Sequence, residues 1–207
     1  MAATEEKNRT IYNAEYGALQ SSEKGYSGWV INRRVNLFLR EVRPGKNEKI
    51  LEIGCNDGVL FRQMERLAGE CHGIDVNEDI IRRANHPRMQ VMSATELKFP
   101  DAAFDKIYSS HVIEHIPDLE TVFREVFRVL RPGGRFFALF PWEPIRGVRA
   151  LKDALQLKKG LGYARQLHIH TLTPRIVRRR IQAIPFRKIT SRVVFTVLPD
   201  FLMTFDK

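Results

Sequence analysis

Leu51-Glu52-Ile53-Gly54-Cys55-Asn56-Asp57-Gly58 joins a short apolar run to the start of an amphipathic pattern. Lys49–Ile53 predicts a strand, and the apolar residues after Gly58 recur at helical spacing. The loop between them lies at the carboxyl end of the strand, where open α/β sheets bind their ligands. Glycines at such a loop let the backbone approach a ligand closely. The stretch therefore predicts a ligand-binding strand–loop–helix unit.

The glycine spacing excludes two common ligands. It is Gly-x-x-x-Gly, because Asn56 and Val59 stand where a dinucleotide fingerprint needs glycine. No Gly-Lys-Ser/Thr follows to hold a triphosphate, so the loop argues against both NAD and ATP. Asp75 ends the next predicted strand, where a carboxylate can accept hydrogen bonds from both hydroxyls of a ribose.

Strand and helix patterns alternate along the chain around this unit, which indicates a parallel sheet with crossover helices. The predicted strands are Lys49–Ile53, Cys71–Asp75, Met89–Met92, Phe104–Ser109 and Arg135–Pro141. The predicted helices are Trp29–Val42, a face from Val59 to Leu67, Glu78–Ala84 and Leu119–Leu130, the last closed by Arg131-Pro132-Gly133-Gly134.

The C-terminal part is predicted less regularly. A helix near Ile145–Lys158 precedes a break at Gly160 and Gly162, and a second helix runs from Thr173 to about Ala183, capped by Thr173 with Pro174 at its first position. A late strand, Val193–Leu198, a turn at Pro199-Asp200 and a short final strand, Phe201–Phe205, complete the chain.

Composition excludes several protein classes. The 207 residues contain 43% hydrophobic and 28% charged side chains, which is typical of a globular domain and not of a disordered chain. No apolar run reaches the roughly 18 residues of a membrane span. We expect that the two cysteines, Cys55 and Cys71, cannot build a disulfide framework or a four-ligand zinc site. The acidic N-terminus does not resemble a signal peptide, so we expect a cytoplasmic protein.

The net charge of +10 is concentrated in one segment. Residues 1–145 carry 20 basic and 21 acidic side chains, whereas residues 146–192 carry 13 basic side chains and a single acid, Asp153. Such a segment is either a binding surface for an anionic partner or a solvated face.

Four ordered landmarks resemble the class I S-adenosylmethionine-dependent methyltransferases, and the similarity runs from Lys49 to Pro141. They are Glu52–Gly58, Gly73-Ile74-Asp75, Phe104–Tyr108 followed by His111-Val112-Ile113-Glu114-His115, and Val129–Gly134 before a strand. The resemblance implies a doubly wound, Rossmann-like α/β fold with a mostly parallel seven-stranded sheet and helices on both faces. It also implies S-adenosylmethionine as cofactor and a methyl acceptor of the small-molecule kind.

The resemblance assigns a cofactor role to individual residues. Glu52 would accept a hydrogen bond from the methionine amino group, Asp75 would hold the ribose hydroxyls, and Val76 would pack on the adenine. Gly54, Asn56 and Gly58 would shape the loop, although Asn56 replaces a glycine that the family usually has there. The adenine edge and the sulfonium would be bordered by Ala94, Thr95 and Glu96, and by Ser110 and His111; an Asp commonly precedes the residue matching Ala94, and here it is Ser93.

Three histidines are candidate catalytic bases, since imidazole titrates in the useful range: His111, His168 and His170. His168 and His170 alternate, so an extended backbone would direct both to one side. No third Cys, Asp or Glu is close to them in sequence, and we therefore predict no metal site. Glu114 and His115 are interpreted as stabilising the entry of the following helix.

The chain divides into four predicted parts. Residues 1–43 form an arm and a helix, with Tyr12, Tyr16 and Tyr26 in a candidate lid, and residues 44–141 form the cofactor-binding core. Residues 142–192 form a basic substrate cap, and residues 193–207 form strands that complete the sheet. The charge of the cap predicts a small, anionic acceptor. We expect methylation on oxygen or nitrogen, and methylation on carbon stays open. An RNA-modifying or RNA-binding surface is the alternative, and peripheral contact with an anionic membrane or a merely solvated face also stays open.

Overall fold

The computed structural model describes residues 26–145, 148, 151–156, 158–159 and 161–207. Tyr12 and Tyr16 of the predicted lid lie outside these residues, as do Arg146, Arg149, Leu157 and Gly160 of the basic segment. Within the described part, no helix is both long enough and apolar enough to cross a membrane.

A seven-stranded sheet forms the centre of the molecule, in the order β3-β2-β1-β4-β5-β7-β6. The first five strands run parallel, and β7 pairs antiparallel with both β5 and β6. This confirms the predicted doubly wound, mostly parallel class. The strands are β1 Lys49–Ile53, β2 Glu70–Asp75, β3 Met89–Val91, β4 Phe104–Ser110, β5 Leu130–Pro141, β6 Lys188–Phe195 and β7 Pro199–Asp206.

Helices follow most strands, as the alternation predicts. They are α1 Tyr26–Val42, α2 Val59–Glu65, α3 Glu78–Ala84, α4 Leu119–Val129, α5 Leu151–Gln156, α6 Leu161–Leu167 and α7 Pro174–Arg180, with a 3₁₀ turn at Ile113–His115 between β4 and α4.

Both faces of the sheet are covered, and neighbouring strand residues point to opposite faces. Ile107 belongs to a cluster with Phe123 of α4, whereas Tyr108 packs with Phe38 of α1 on the other face. β5 is buried on both sides from Phe137 to Pro141, which explains its unbroken apolar run.

The end of α4 differs from the prediction. Arg131–Gly134 does not form a separate turn but belongs to β5, which already pairs Leu130 with Phe104 and then shifts its register. Gly133, within the segment where the register shifts, has a φ of 80°. The buried pairing of Leu130 therefore extends the strand through a sequence that usually ends a helix.

The C-terminal elements are also shifted. The break predicted around Gly162 is helix α6, and the predicted strand at Val193–Leu198 begins earlier, so the predicted boundary between 192 and 193 falls inside β6. The predicted turn at Pro199-Asp200 is the start of β7, since Pro141 pairs with Asp200. The predicted cap of α7 is confirmed: Thr173 Oγ1 accepts a hydrogen bond from the Ile176 N–H at 3.3 Å, with Pro174 at the first position.

Candidate functional site

A cavity of about 1080 Å³ opens at the carboxyl edge of β1, β2 and β4. Eleven of the predicted site residues line it: Glu52, Gly54, Asn56, Asp75, Val76, Ala94, Thr95, Glu96, Ser110, His111 and His168. The parallel strands bring them together because each one ends at this edge or is followed by a loop there.

The loop after β1 has the tight backbone that its glycine spacing predicts. Gly54 has a φ of 75°, and a Cβ built on it would lie 2.2 Å from Val112 Cγ2. Asn56 adopts a φ of 48°, so the residue that replaces the usual glycine takes the left-handed conformation that asparagine tolerates. Its buried Oδ1 accepts no hydrogen bond from the described residues. The loop thus lets a ligand approach its backbone closely, and Asn56 Oδ1 can accept a hydrogen bond from that ligand.

Asp75 connects this loop to β2. Its Oδ2 accepts a hydrogen bond from the Asn56 N–H at 3.0 Å, and its Oδ1 accepts one from the Asn77 N–H at 2.9 Å. Burial raises the pKa of Asp75, while these backbone donors oppose the rise. The carboxylate is therefore fixed in orientation, and its second lone pairs can receive two hydroxyl groups.

Glu52 is the buried acid at the end of β1. Its Oε2 accepts a hydrogen bond from the Tyr108 hydroxyl at 3.0 Å, and burial raises its pKa well above the ordinary value. A cationic amino group in the cavity would restore the charge balance of this carboxylate. In the next loop, Ser93 and Thr95 share a hydrogen bond between their hydroxyls at 2.7 Å, where the family usually has an aspartate.

His111 follows β4 at a strained position, with a φ of 56° and its N–H donating to Leu139 O at 2.8 Å. Its ring lies between two buried acids: Nδ1 is 3.5 Å from Glu114 Oε1, and Nε2 is 3.6 Å from Asp200 Oδ1. Asp200 accepts a hydrogen bond from the Thr196 hydroxyl. The imidazole is thus held in the cavity with acids on both sides.

Glu114 is not the helix-entry residue that the sequence suggests. Its side chain is 1% exposed and lines the cavity, and neither of its carboxylate oxygens accepts a hydrogen bond from the described residues. Burial raises the pKa of Glu114 to about 7, opposed by the charges of His168 and Arg34.

His168 is buried and paired with an acid. Its Nδ1 lies 2.8 Å from Oε2 of Glu143, a buried residue two positions beyond β5. Its ring packs edge-on against the His115 ring, with centroids 5.0 Å apart. The premise that no third acid accompanies the histidines is therefore wrong in three dimensions, because Glu114 and Glu143 both approach His168.

Two predicted site residues do not line the cavity. Gly58 caps α2 with a φ of 85°. The Nε2 atom of the His170 ring lies 3.0 Å from Ile116 O, and the backbone N–H of His170 donates to Glu114 O at 3.3 Å. His170 therefore holds the 3₁₀ turn without lining the cavity. Sequence reasoning missed Arg34, Glu143 and Asp200, which distant elements bring to the site, and it gave Glu114 and His115 only a role at the helix entry.

The central part of the chain is similar to known proteins. Residues 51–138 match the family model described as a methyltransferase domain. The sterol 24-C-methyltransferase erg6 of Aspergillus fumigatus is 33% identical over 123 residues, which are 54% of this chain and 32% of that protein. The chain thus spans about a third of the length of this curated relative.

Solved structures give the same fold. An S-adenosylmethionine-dependent methyltransferase from Archaeoglobus fulgidus superposes with a TM-score of 0.66 at 17% identity, covering 85% of this chain and 94% of the other. A geranyl diphosphate methyltransferase in complex with S-adenosylmethionine gives a TM-score of 0.62 at 15% identity, covering 84% of each chain.

Proposed function

We propose that this chain is a class I S-adenosylmethionine-dependent methyltransferase that transfers the methyl group to a small, anionic acceptor on oxygen or nitrogen; the match of residues 51–138 to a methyltransferase domain supports this. The observation that carries the proposal is that Glu52 and Asp75 line the same cavity as His111, Glu114 and His168. We assign the part beside Glu52, Asp75 and the glycine loop to the cofactor as the first end, and the part beside His111, Glu114 and His168 to the acceptor as the second end.

The residues at the first end fit S-adenosylmethionine. The carboxylate of Asp75 would bind the ribose hydroxyls, and Glu52 would bind the methionine amino group. Gly54 would give the cofactor room, since any side chain there would meet Val112. Val76, Ala94 and Thr95 would border the adenine.

The second end fits the acceptor. Bound S-adenosylmethionine supplies an electrophilic methyl group on a positively charged sulfur. His111, oriented between Glu114 and Asp200, is placed to take the proton that the acceptor oxygen or nitrogen loses as the new bond to carbon forms. The products would be the methylated acceptor, S-adenosylhomocysteine and one proton.

The charge of the acceptor is inferred from the cations around the mouth. Arg34 of α1 lines the cavity itself. A neighbouring groove of about 620 Å³ shares Pro117 and Asp118 with the cavity and includes Arg179 and Arg180 of α7 as well as the acids Asp118 and Glu120, so the attraction would come from the arginine side. An acceptor with a carboxylate or phosphate would gain Coulomb attraction along this path.

The test is a labelled-methyl assay with matched pairs of acceptors, each pair differing only by a carboxylate or phosphate. We expect lower KM values for the anionic members, and Arg34→Met should raise KM for those members while leaving the neutral ones unchanged. Equal KM values within each pair would contradict an anionic acceptor. RNA belongs in the same assay, and absence of RNA binding at low salt would exclude the nucleic-acid alternative.

A further inference from the structure

The acceptor end of the cavity contains three side chains with the chemistry of metal ligands. One ligand atom from each of Glu114, His115 and His168 lies within 4.8 Å of the other two. Two imidazoles and one carboxylate form the protein ligand set of many catalytic zinc sites, in which a fourth position stays open.

The burial of Glu114 is a second, independent observation. Both carboxylate oxygens are buried without a hydrogen bond from the described residues, and the imidazole nitrogens of His111 (Nδ1, 3.5 Å) and His115 (Nε2, 3.9 Å) face Oε1 without forming one. An ionised carboxylate that leaves water is normally paired or coordinates a metal. Glu114 borders the cavity, so a cation bound there would be accessible to an acceptor.

Glu143 completes the arrangement behind the ligands. It contacts His168 Nδ1 at 2.8 Å, so Nε2 is the ring nitrogen that would coordinate a metal. A carboxylate on the far nitrogen of a histidine is the usual support of a zinc ligand, because it fixes the tautomer and raises the basicity of the ring. A tetrahedral zinc ion would need ligand atoms roughly 3.3 Å apart, so the three side chains, whose ligand atoms lie within 4.8 Å of one another, would have to draw together on binding.

We propose that Glu114, His115 and His168 bind a zinc ion, with Glu143 as the positioning residue of His168 and the open coordination position facing the acceptor. The role of the ion rests on the proposed function and narrows the acceptor to a hydroxyl compound. A zinc-bound hydroxyl would release its proton more readily, and His111 would take it. Its oxygen would then form the bond to the methyl carbon as the carbon–sulfur bond breaks, giving a methyl ether and S-adenosylhomocysteine.

The test is calorimetric titration of Zn²⁺ into the full chain after treatment with EDTA and dialysis, which needs no acceptor. We expect one Zn²⁺ per chain. Glu114→Gln and His168→Ala should each weaken binding at least as much as Glu143→Gln, for which a loss of about 10- to 100-fold is expected. His86→Ala is the matched control, because His86 also faces a carboxylate, Glu65 at 3.3 Å, but does not line the cavity.

The visible absorption of bound Co²⁺ is a second measurement of metal binding, independent of calorimetry. The wild-type chain and His86→Ala should develop visible absorption bands with one equivalent of Co²⁺, and His168→Ala should not. Thermal unfolding of each variant verifies its fold, and His115→Gln replaces any variant that fails this control.

Two results would overturn the zinc site: no stoichiometric Zn²⁺ binding by the folded chain, or binding that Glu114→Gln and His168→Ala leave unchanged. Titration of S-adenosylhomocysteine into the same samples separates the two proposals. If the chain binds this product but no Zn²⁺, only the proposal of a metal site is refuted. If it binds Zn²⁺ but not the product, the proposed methyltransferase function is refuted.

Discussion

Gly54 is the residue at which the backbone of the loop has the least freedom. Its φ of 75° and the 2.2 Å approach of Val112 Cγ2 to a built Cβ both require glycine. Gly54→Ala should therefore destabilise the fold by about 1–3 kcal/mol and weaken S-adenosylhomocysteine binding. Urea unfolding and calorimetry measure the two effects.

Gly162→Ala is the control for this substitution. A Cβ at Gly162 meets no atom within 4 Å, and the residue lies inside α6. Alanine there should leave product binding unchanged and stabilise the protein by about 0.4–1 kcal/mol. If Gly54→Ala behaved in the same way as Gly162→Ala, the close approach at the loop would be disproved.

The residues that could be predicted from the sequence are those whose role follows from their own strand. Glu52, Gly54 and Asp75 each stand at or beside the end of a predicted strand, and the structure places all three in the cavity. The pairing of Glu143 with His168 could not be predicted, since 25 residues separate them and only the packing of the segment after β5 joins them.

At the scale of elements, hydrogen bonds from Arg128 connect helix α4 to the segment that follows β3. Its guanidinium donates to Leu97 O and Phe99 O, each at 2.8 Å, and it also pairs with Asp101 and Glu125. Arg128→Met removes these donors, so we expect the free energy of unfolding in urea to fall by about 1–3 kcal/mol. Arg124→Met on the same helix breaks only the exposed pair with Glu120 and should cost less than about 1 kcal/mol.

The contribution of Arg128 to the free energy of unfolding should depend on pH, because Glu125, its partner, titrates. The hydrogen bond from Arg128 lowers the pKa of Glu125 below its ordinary value of 4.5. A lowered pKa in the folded state stabilises the fold above the unfolded pKa, and this stability is lost as pH falls through the folded value. The difference between wild type and Arg128→Met should thus be smaller at pH 3 than at pH 7, and an unchanged difference would contradict the linkage.

The last strand shows why element prediction failed in the C-terminal part. Pro199-Asp200 has the composition of a turn, but Asp200 pairs with Pro141 in the sheet. Because β7 runs antiparallel to β5, its first residues lie at the carboxyl edge of the parallel strands. This topology carries Asp200 to His111, and local sequence contains no sign of it.

At the scale of the whole molecule, cofactor binding should stabilise the fold, because the cavity is assembled from loops after several strands. S-adenosylhomocysteine at 100 times its Kd should add about 2.7 kcal/mol. For a chain of this size that corresponds to a rise in Tm of about 5–10 °C. Differential scanning calorimetry measures the shift, and a Tm that does not change with ligand concentration would show that the cavity does not bind the product.

The most direct test of the account is the affinity of S-adenosylhomocysteine for wild type, Asp75→Ala and Asp79→Ala, measured by isothermal titration calorimetry on chains whose fold is verified by circular dichroism. Asp79 is the matched control, since it lies four positions further along, on the exposed first turn of α3. Asp75→Ala should weaken binding by about 10- to 100-fold, and Asp79→Ala should bind as wild type does. Equal affinities for Asp75→Ala and wild type would contradict the placement of the cofactor at the end of β2.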